Sequence, residues 1–201
     1  MTAERVRVAV LISGRGTNMV ALAEHKRREQ RAYDIVLVAS NVPEARGLVA
    51  ARRLALPIWA RSHQGMERAE FDRLLQAELH RHDVELIALA GYMRLLSPEF
   101  IRAWEGRILN IHPSLLPLYK GLDTHNRVLA AGDSWTGCSV HLVTEELDDG
   151  PVLAQAKVRV RPRDDAQSLA ERVLAEEHKL YPVALDDHAA RIRAGEGEYD
   201  G

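Results

Sequence analysis

The chain has 201 residues, 46% hydrophobic and 28% charged, with a formal net charge of −2; this suits one soluble globular domain and offers no polyanion-binding surface for nucleic acid. Its single cysteine, Cys138, excludes an internal disulfide and a multi-thiolate zinc site and fits a reducing compartment. No signal-peptide hydrophobic region follows Met1-Thr2-Ala3-Glu4-Arg5, and no apolar run nears the ~20 residues of a membrane span, so the expected location is the cytoplasm.

Val6 to Ile12 is a nearly continuous apolar run, as in a parallel strand buried on both faces. Ser13-Gly14-Arg15-Gly16-Thr17-Asn18 follows, and Met19 to Ala23 opens a helix that turns basic at Lys26-Arg27-Arg28. Strand, glycine turn and helix N-terminus make an anion site, because the first helical amides lack internal partners. A dinucleotide fingerprint needs a third glycine where Met19 stands, and the Gly-Lys-Ser/Thr of a nucleoside-triphosphate loop is missing. A single phosphate monoester fits better than either. The plainer alternative is a glycine turn that only reverses the chain.

Ile35 to Ala39 is the second expected strand, Ala45 to Leu54 a helix, and Pro57-Ile58-Trp59 a short third strand. Met66 to His80 has Phe71, Leu74, Leu75 and Leu79 at the spacing of an amphipathic helix. His80 and His82 read as a solvated helix end, since nothing beside them completes a metal-ligand set. Leu86 to Ala90 is a fourth strand, followed by Gly91 to Leu96. Ser97-Pro98 then suits an N-cap and N1 pair opening a short helix through Trp104. Strands alternating with helices predict a doubly wound, mainly parallel α/β sheet with helices on both faces.

Ile108 to Pro117, I-L-N-I-H-P-S-L-L-P, is the most informative stretch. Ile108, Leu109 and Ile111 favour a strand, and Pro113 and Pro117 stop it. Asn110 and His112, two apart, project to one face about 6.5 Å from each other. They stand at a strand's C-terminal end, where open α/β sheets bind ligands. Amide and imidazole together suit a developing oxyanion; the alternative is a strand end whose Asn and His bond only the next turn. The Leu116-Pro117 bond is a candidate for cis geometry.

Beyond it, a loop leads to a helix over Arg127 to Ala131, and Cys138 to Val143 and Val152 to Val160 form an antiparallel pair. His141 lies on the first of these, and alternation alone leaves its side open. Leu169 to Leu180 is a closing helix ended by Pro182, and residues 188–201 are expected to be a loosely ordered tail. Asp148, arriving beside His112 from the intervening turn, would favour imidazolium and raise its pKa. Ser114 lies between prolines without a Gly-x-Ser-x-Gly elbow, so polarising a carbonyl for attack by a substrate amine is expected rather than covalent catalysis.

Three segments, Ile12 to Asn18, Leu109 to Pro117 and Glu146 to Pro151, together resemble the folate-dependent glycinamide ribonucleotide formyltransferases of purine synthesis. Leu89 to Arg94 and Gly137 to His141 are similar too, so the resemblance covers nearly the whole chain. The middle motif is shared with other formyl-folate enzymes; the first is more specific. The resemblance implies a Rossmann-like formyltransferase fold, 10-formyltetrahydrofolate as co-substrate and no metal. It implies small-molecule partners only, with no nucleic acid or membrane, and a monomer or homodimer.

By the same resemblance, Asn110, His112 and Asp148 are the catalytic set. Gly16, Thr17 and Asn18 hold the ribonucleotide phosphate, and Glu177 its hydroxyls. Arg68, Met93, Arg94, Leu95 and Leu96 form the folate pocket with Asn110 and the loop Thr144, Glu145, Glu146, Leu147 and Asp148. The family often has Gln three residues before that Glu, where this chain has Leu174, leaving one hydroxyl contact open. Plainer assignments exist: Met93, Leu95 and Leu96 as core, Arg68 as a solvated helix charge, Glu177 on an exposed helix face. Formyltetrahydrofolate deformylase uses a similar trio on water but usually adds an N-terminal regulatory domain, and here the first strand begins at Val6. Methionyl-tRNA formyltransferase usually adds a C-terminal domain this length cannot hold. A non-catalytic nucleotide-binding module would bind phosphate ligands without turnover.

Overall fold

Alternation along the first strand builds both halves of the core. In the computed structural model, which describes residues 5–26 and 31–196, β1 (Val6–Ile12) is buried at every position but Arg7. Val8, Val10 and Ile12 face one cluster, shared with Met19, Leu22, Leu48, Val128 and Tyr181. Ala9 and Leu11 face the other, with Phe71, Leu75, Leu79, Phe100 and Trp104. Both faces are therefore dry, as a parallel strand covered by helices requires.

Among the described residues the sheet has seven strands in the order β3-β2-β1-β4-β5-β6-β7, with β2 Tyr33–Ser40, β3 Ile58–Ala60, β4 Leu86–Leu89, β5 Ile108–His112, β6 Trp135–Leu142 and β7 Val152–Arg159. The first five are parallel; β6 pairs antiparallel with β5 and β7. The mainly parallel sheet with antiparallel C-terminal strands agrees with the sequence reading. The helices are α1 Thr17–Lys26, α2 Arg46–Arg53, α3 Arg68–Arg81, α4 Pro98–Ala103, α5 Thr124–Ala131 and α6 Ala166–Ala194. Ser97 caps α4 through its side chain, with Pro98 in the first turn. Arg27 and Arg28 of the expected basic turn lie outside the described residues.

The C-terminal helix corrects the sequence reading. Pro182 does not end α6, which runs 29 residues with the proline inside it. An interior proline costs about 3 kcal/mol by deleting one helical hydrogen bond. The buried stripe, however, continues on both sides of it through Val173, Tyr181, Leu185 and Ala189. Tyr181 Oη lies 3.0 Å from Leu89 O and 3.2 Å from Leu109 O, and His188 Nε2 lies 3.0 Å from Gly106 O. Anchoring on the sheet outweighs the local defect. Residues 188–194, expected in a loose tail, are thus the last turns of α6; residues 197–201 lie outside the described residues. Among the described residues no helix is long and apolar enough to cross a membrane.

Candidate active site

Asn110 and His112 leave the C-terminal end of β5 on one face, and β6 lies beside them in the register Asn110↔His141 and His112↔Ser139. Ser139 fixes the turn after β5: its Oγ donates to Ser114 O at 2.7 Å and accepts from Leu116 N at 3.0 Å. The Leu116-Pro117 bond is cis. Asp148 enters from the β6–β7 turn, which closes against β6 so tightly that a Cβ on Gly150 would lie 1.9 Å from Leu142 O. Only glycine fits there.

The expected trio converges. His112 Nδ1 lies 3.2 Å from Asp148 Oδ2, and Gly121 N donates to the same oxygen at 2.9 Å. Asp148 Oδ1 lies 3.5 Å from His141 Nε2, which is 3.1 Å from Asn110 Nδ2. His112, His141 and Asp148 are all buried. The other His112 nitrogen, Nε2, is 2.9 Å from the Tyr119 carbonyl. Tyr119 and Asp148 both adopt positive φ, 56° and 51°, a strain of about 1–3 kcal/mol each that often marks functional sites.

The electrostatics differ from the sequence reading. Burial pushes the His112 pKa down, and this outweighs the Tyr119 carbonyl and the Asp148 carboxylate, which both push it up; His141 and Arg127 lower it further. The expected raised pKa is therefore corrected for the ligand-free protein: Asp148 acts in the expected direction but does not prevail. Burial also opposes charge on Asp148, yet the nearby His141 ring, the Gly121 N–H that donates to it and the His112 imidazole hold its pKa below the ordinary value.

The glycine turn forms a second locus. Helix α1 begins at Thr17, two residues before Met19. Gly16 has φ +70°, and a Cβ there would meet the Cα of Gly47, on α2, at 2.7 Å. Gly47 N donates to Gly14 O at 2.9 Å, so α2 backs the turn directly. Asn18 and Glu177, both buried, meet with Asn18 Nδ2 donating to Glu177 Oε2 at 2.7 Å. Glu177 is thus not on an exposed face, and burial raises its pKa against the Asn18 amide. A cavity of about 360 Å³ between α1 and α6 touches this turn at Arg15 and Thr17 and does not reach the trio.

The 91–96 segment is tied to the glycine turn. Ser13 N donates to Gly91 O at 3.1 Å, and Met93 N donates to Ser13 Oγ at 2.7 Å. Met93 and Leu95 are 69% and 55% exposed, which removes their assignment as core. Leu96 is buried in the α3–α4 cluster, so for it the plainer assignment describes the packing. Arg94 lies over the Phe71 ring, 5.1 Å from its centroid. Arg68 is exposed at the start of α3. In the 144–148 loop, Leu147 is exposed, Thr144 Oγ1 donates to Glu146 O, and Glu145 pairs with Arg102 at 2.7 Å. Among the described residues no three His, Cys, Asp or Glu side chains are grouped to hold a metal.

The formyl transferase family profile matches residues 6–185. The chain belongs to the formyl transferase family. Within it, the phosphoribosylglycinamide formyltransferase of Escherichia coli is 40% identical over 181 residues, covering 90% of this chain and 85% of that protein. The trifunctional purine biosynthetic protein adenosine-3 of Gallus gallus is 47% identical over 182 residues. The match takes in 90% of this chain but only 18% of that longer protein's length. The crystal structure of phosphoribosylglycinamide formyltransferase from Brucella melitensis superposes with a TM-score of 0.89 at 47% identity, covering 93% of this chain and 97% of that one.

In this member of the family, three contributors escaped the sequence reading. His141 is brought in by the β5–β6 register, which no within-strand alternation specifies. Gly47 acts by close approach across elements. Tyr119 acts through its carbonyl, which any residue would carry.

Proposed function

We propose that the chain transfers the formyl group of 10-formyltetrahydrofolate, consumed as a substrate, to the amine of glycinamide ribonucleotide. The products are formylglycinamide ribonucleotide and tetrahydrofolate, as a step of purine synthesis. One observation carries the reading: Asn110, His112 and Asp148 converge at the end of β5 in a family member close to phosphoribosylglycinamide formyltransferases along nearly its whole length. The Ser13–Met93 bond supports a shared frame for two substrates, with the phosphate on Gly16, Thr17 and Asn18 and the ribose near Glu177. The folate lies against Met93, Leu95 and Leu147, with Arg68, Arg94 and the 144–148 loop around it.

In this reading the attacking amine puts negative charge on the formyl oxygen, which the Asn110 amide and a His112 N–H hold. Both His112 nitrogens face acceptors, Asp148 and Tyr119 O. Burial disfavours imidazolium in the ligand-free protein; when the developing oxyanion replaces the Tyr119 carbonyl at Nε2, its negative charge adds to that of Asp148 and favours the protonated ring. Asp148 supports the charge on His112 and, through water, moves the amine proton toward the departing folate nitrogen. Holding two substrates in line supplies much of the acceleration. The enzyme acts in the cytoplasm on small molecules, as a monomer or homodimer.

The test is tetrahydrofolate release measured with and without glycinamide ribonucleotide. Release that depends on the ribonucleotide supports the reading. Equal release in both tubes makes water the acceptor and overturns it.

A further inference from the structure

His141 lies on β6 opposite Asn110 and is 2% exposed. Its Nδ1 is 2.9 Å from Leu142 O. A carbonyl oxygen only accepts hydrogen bonds, so Nδ1 carries the ring hydrogen, and the neutral ring is left with Nε2 as an acceptor. Asn110 Nδ2 stands 3.1 Å from that lone pair. The two ends of an Asn amide are alike in shape, and the chemistry of the neighbour selects between them. An acceptor at Nε2 selects the NH2 end, taking one hydrogen and leaving the other for a ligand.

We propose that His141, as its Nδ1–H tautomer, is a positioning residue that fixes the Asn110 amide with an N–H available to the reacting oxygen. The inference rests on the proposed role of Asn110 as oxyanion donor. The opposite tautomer sets a bare Nδ1 against the Leu142 carbonyl, two acceptors 2.9 Å apart, in a buried site where an unmade bond is costly. A charged ring has no acceptor left: its Nε2–H faces Asp148 Oδ1 at 3.5 Å, and the amide is released to turn. Asp148 from the β6–β7 turn and, beyond its other oxygen, His112 from β5 are the titratable groups on this side of the ring. Neutral His141 thus keeps the amide in the donor orientation.

Two measurements test this. In the wild-type protein, long-range 1H–15N correlation of labelled histidines at the pH of full activity should show His141 protonated at Nδ1 and bare at Nε2. An Nε2–H tautomer or a doubly protonated ring overturns the proposal, and this readout needs no turnover. A double-mutant cycle tests the consequence. His141→Phe should lower kcat by about 10–100-fold, less than outright loss of an oxyanion donor, with both KM values within about threefold. His141→Gln, which can present an acceptor oxygen, should recover most of the loss. In an Asn110→Ala background, His141→Phe should cost less than about threefold more, because its target is gone. Losses that multiply overturn the proposal. A wild-type protein that transfers no formyl group at all counts against the proposed function, while the ring tautomer still decides the amide's orientation.

Discussion

His112 and Asp148 face each other across 3.2 Å with side chains only 6% and 8% exposed, and the far side of the ring meets the Tyr119 carbonyl at 2.9 Å. Burial lowers the His112 pKa and the carboxylate raises it, so the two effects can be separated by removing the charge. In the ligand-free wild type the ring should titrate below its ordinary 6.5. Asp148→Asn takes away a raising influence and leaves burial in place, so the titration should move further down. Less imidazolium should remain at neutral pH, and kcat there should fall. NMR titration of the ring in both proteins checks this; an unchanged His112 titration removes the charge coupling.

Asn110→Ala should lower kcat by about 10²–10³ through loss of an oxyanion donor. His112→Ala should lower it by about 10²–10⁴ through loss of the protonated ring that donates to the oxyanion. The combined variant should lose less than the product of the two, because both groups act on one intermediate. Steady-state kinetics of the three variants decides it, and a folded His112→Ala protein with near-normal turnover removes the assignment.

Gly47→Ala tests the glycine turn from behind. The added Cβ would lie 2.6 Å from Ile12 Cδ1 and 2.9 Å from Gly16 Cα, pushing the turn off its position. The ribonucleotide KM should rise about tenfold or more, since small misplacements of a binding group are costly, with the folate KM within about twofold. Gly16→Val should act more strongly, because it adds a branched side chain at φ +70°. Equal rises in both KM values would contradict a phosphate role for this turn.

Tyr181→Phe tests what carries α6 past its proline. The phenol is buried between the carbonyls of Leu89 and Leu109. Its loss removes that donor from a buried site and should cost about 1–3 kcal/mol, a fall in Tm of about 2–12 °C for a chain of this size. Calorimetry measures it; an unchanged Tm would show that the apolar stripe alone holds the helix.

What the sequence made legible follows from the range of each interaction. β4 is a continuous apolar run and β1 one interrupted only by Arg7, because both their faces are covered, and such runs are visible without knowing the neighbours. Asn110 and His112 were legible as a pair because two-residue spacing places them on one face. Asp148 came from its own motif, and its meeting with His112 depended on the turn being closed by Gly150. His141 was not legible, since its side is set by the register against β5. The length of α6 was misread because a proline's cost is local, whereas the burial that offsets it comes from strands far away in sequence. The His112 pKa was misread for a similar reason: the carboxylate was visible in the sequence, and the depth of burial was not.

The central claim is that the formyl group passes to the ribonucleotide amine, and following that carbon tests it most directly. With 10-formyltetrahydrofolate labelled with 13C at the formyl carbon, glycinamide ribonucleotide and the wild-type protein, 13C NMR should show the label moving into the amide of formylglycinamide ribonucleotide. Asn110→Ala should slow that transfer by the factor given above. Label collecting as free formate, at a rate indifferent to the ribonucleotide, would contradict the account.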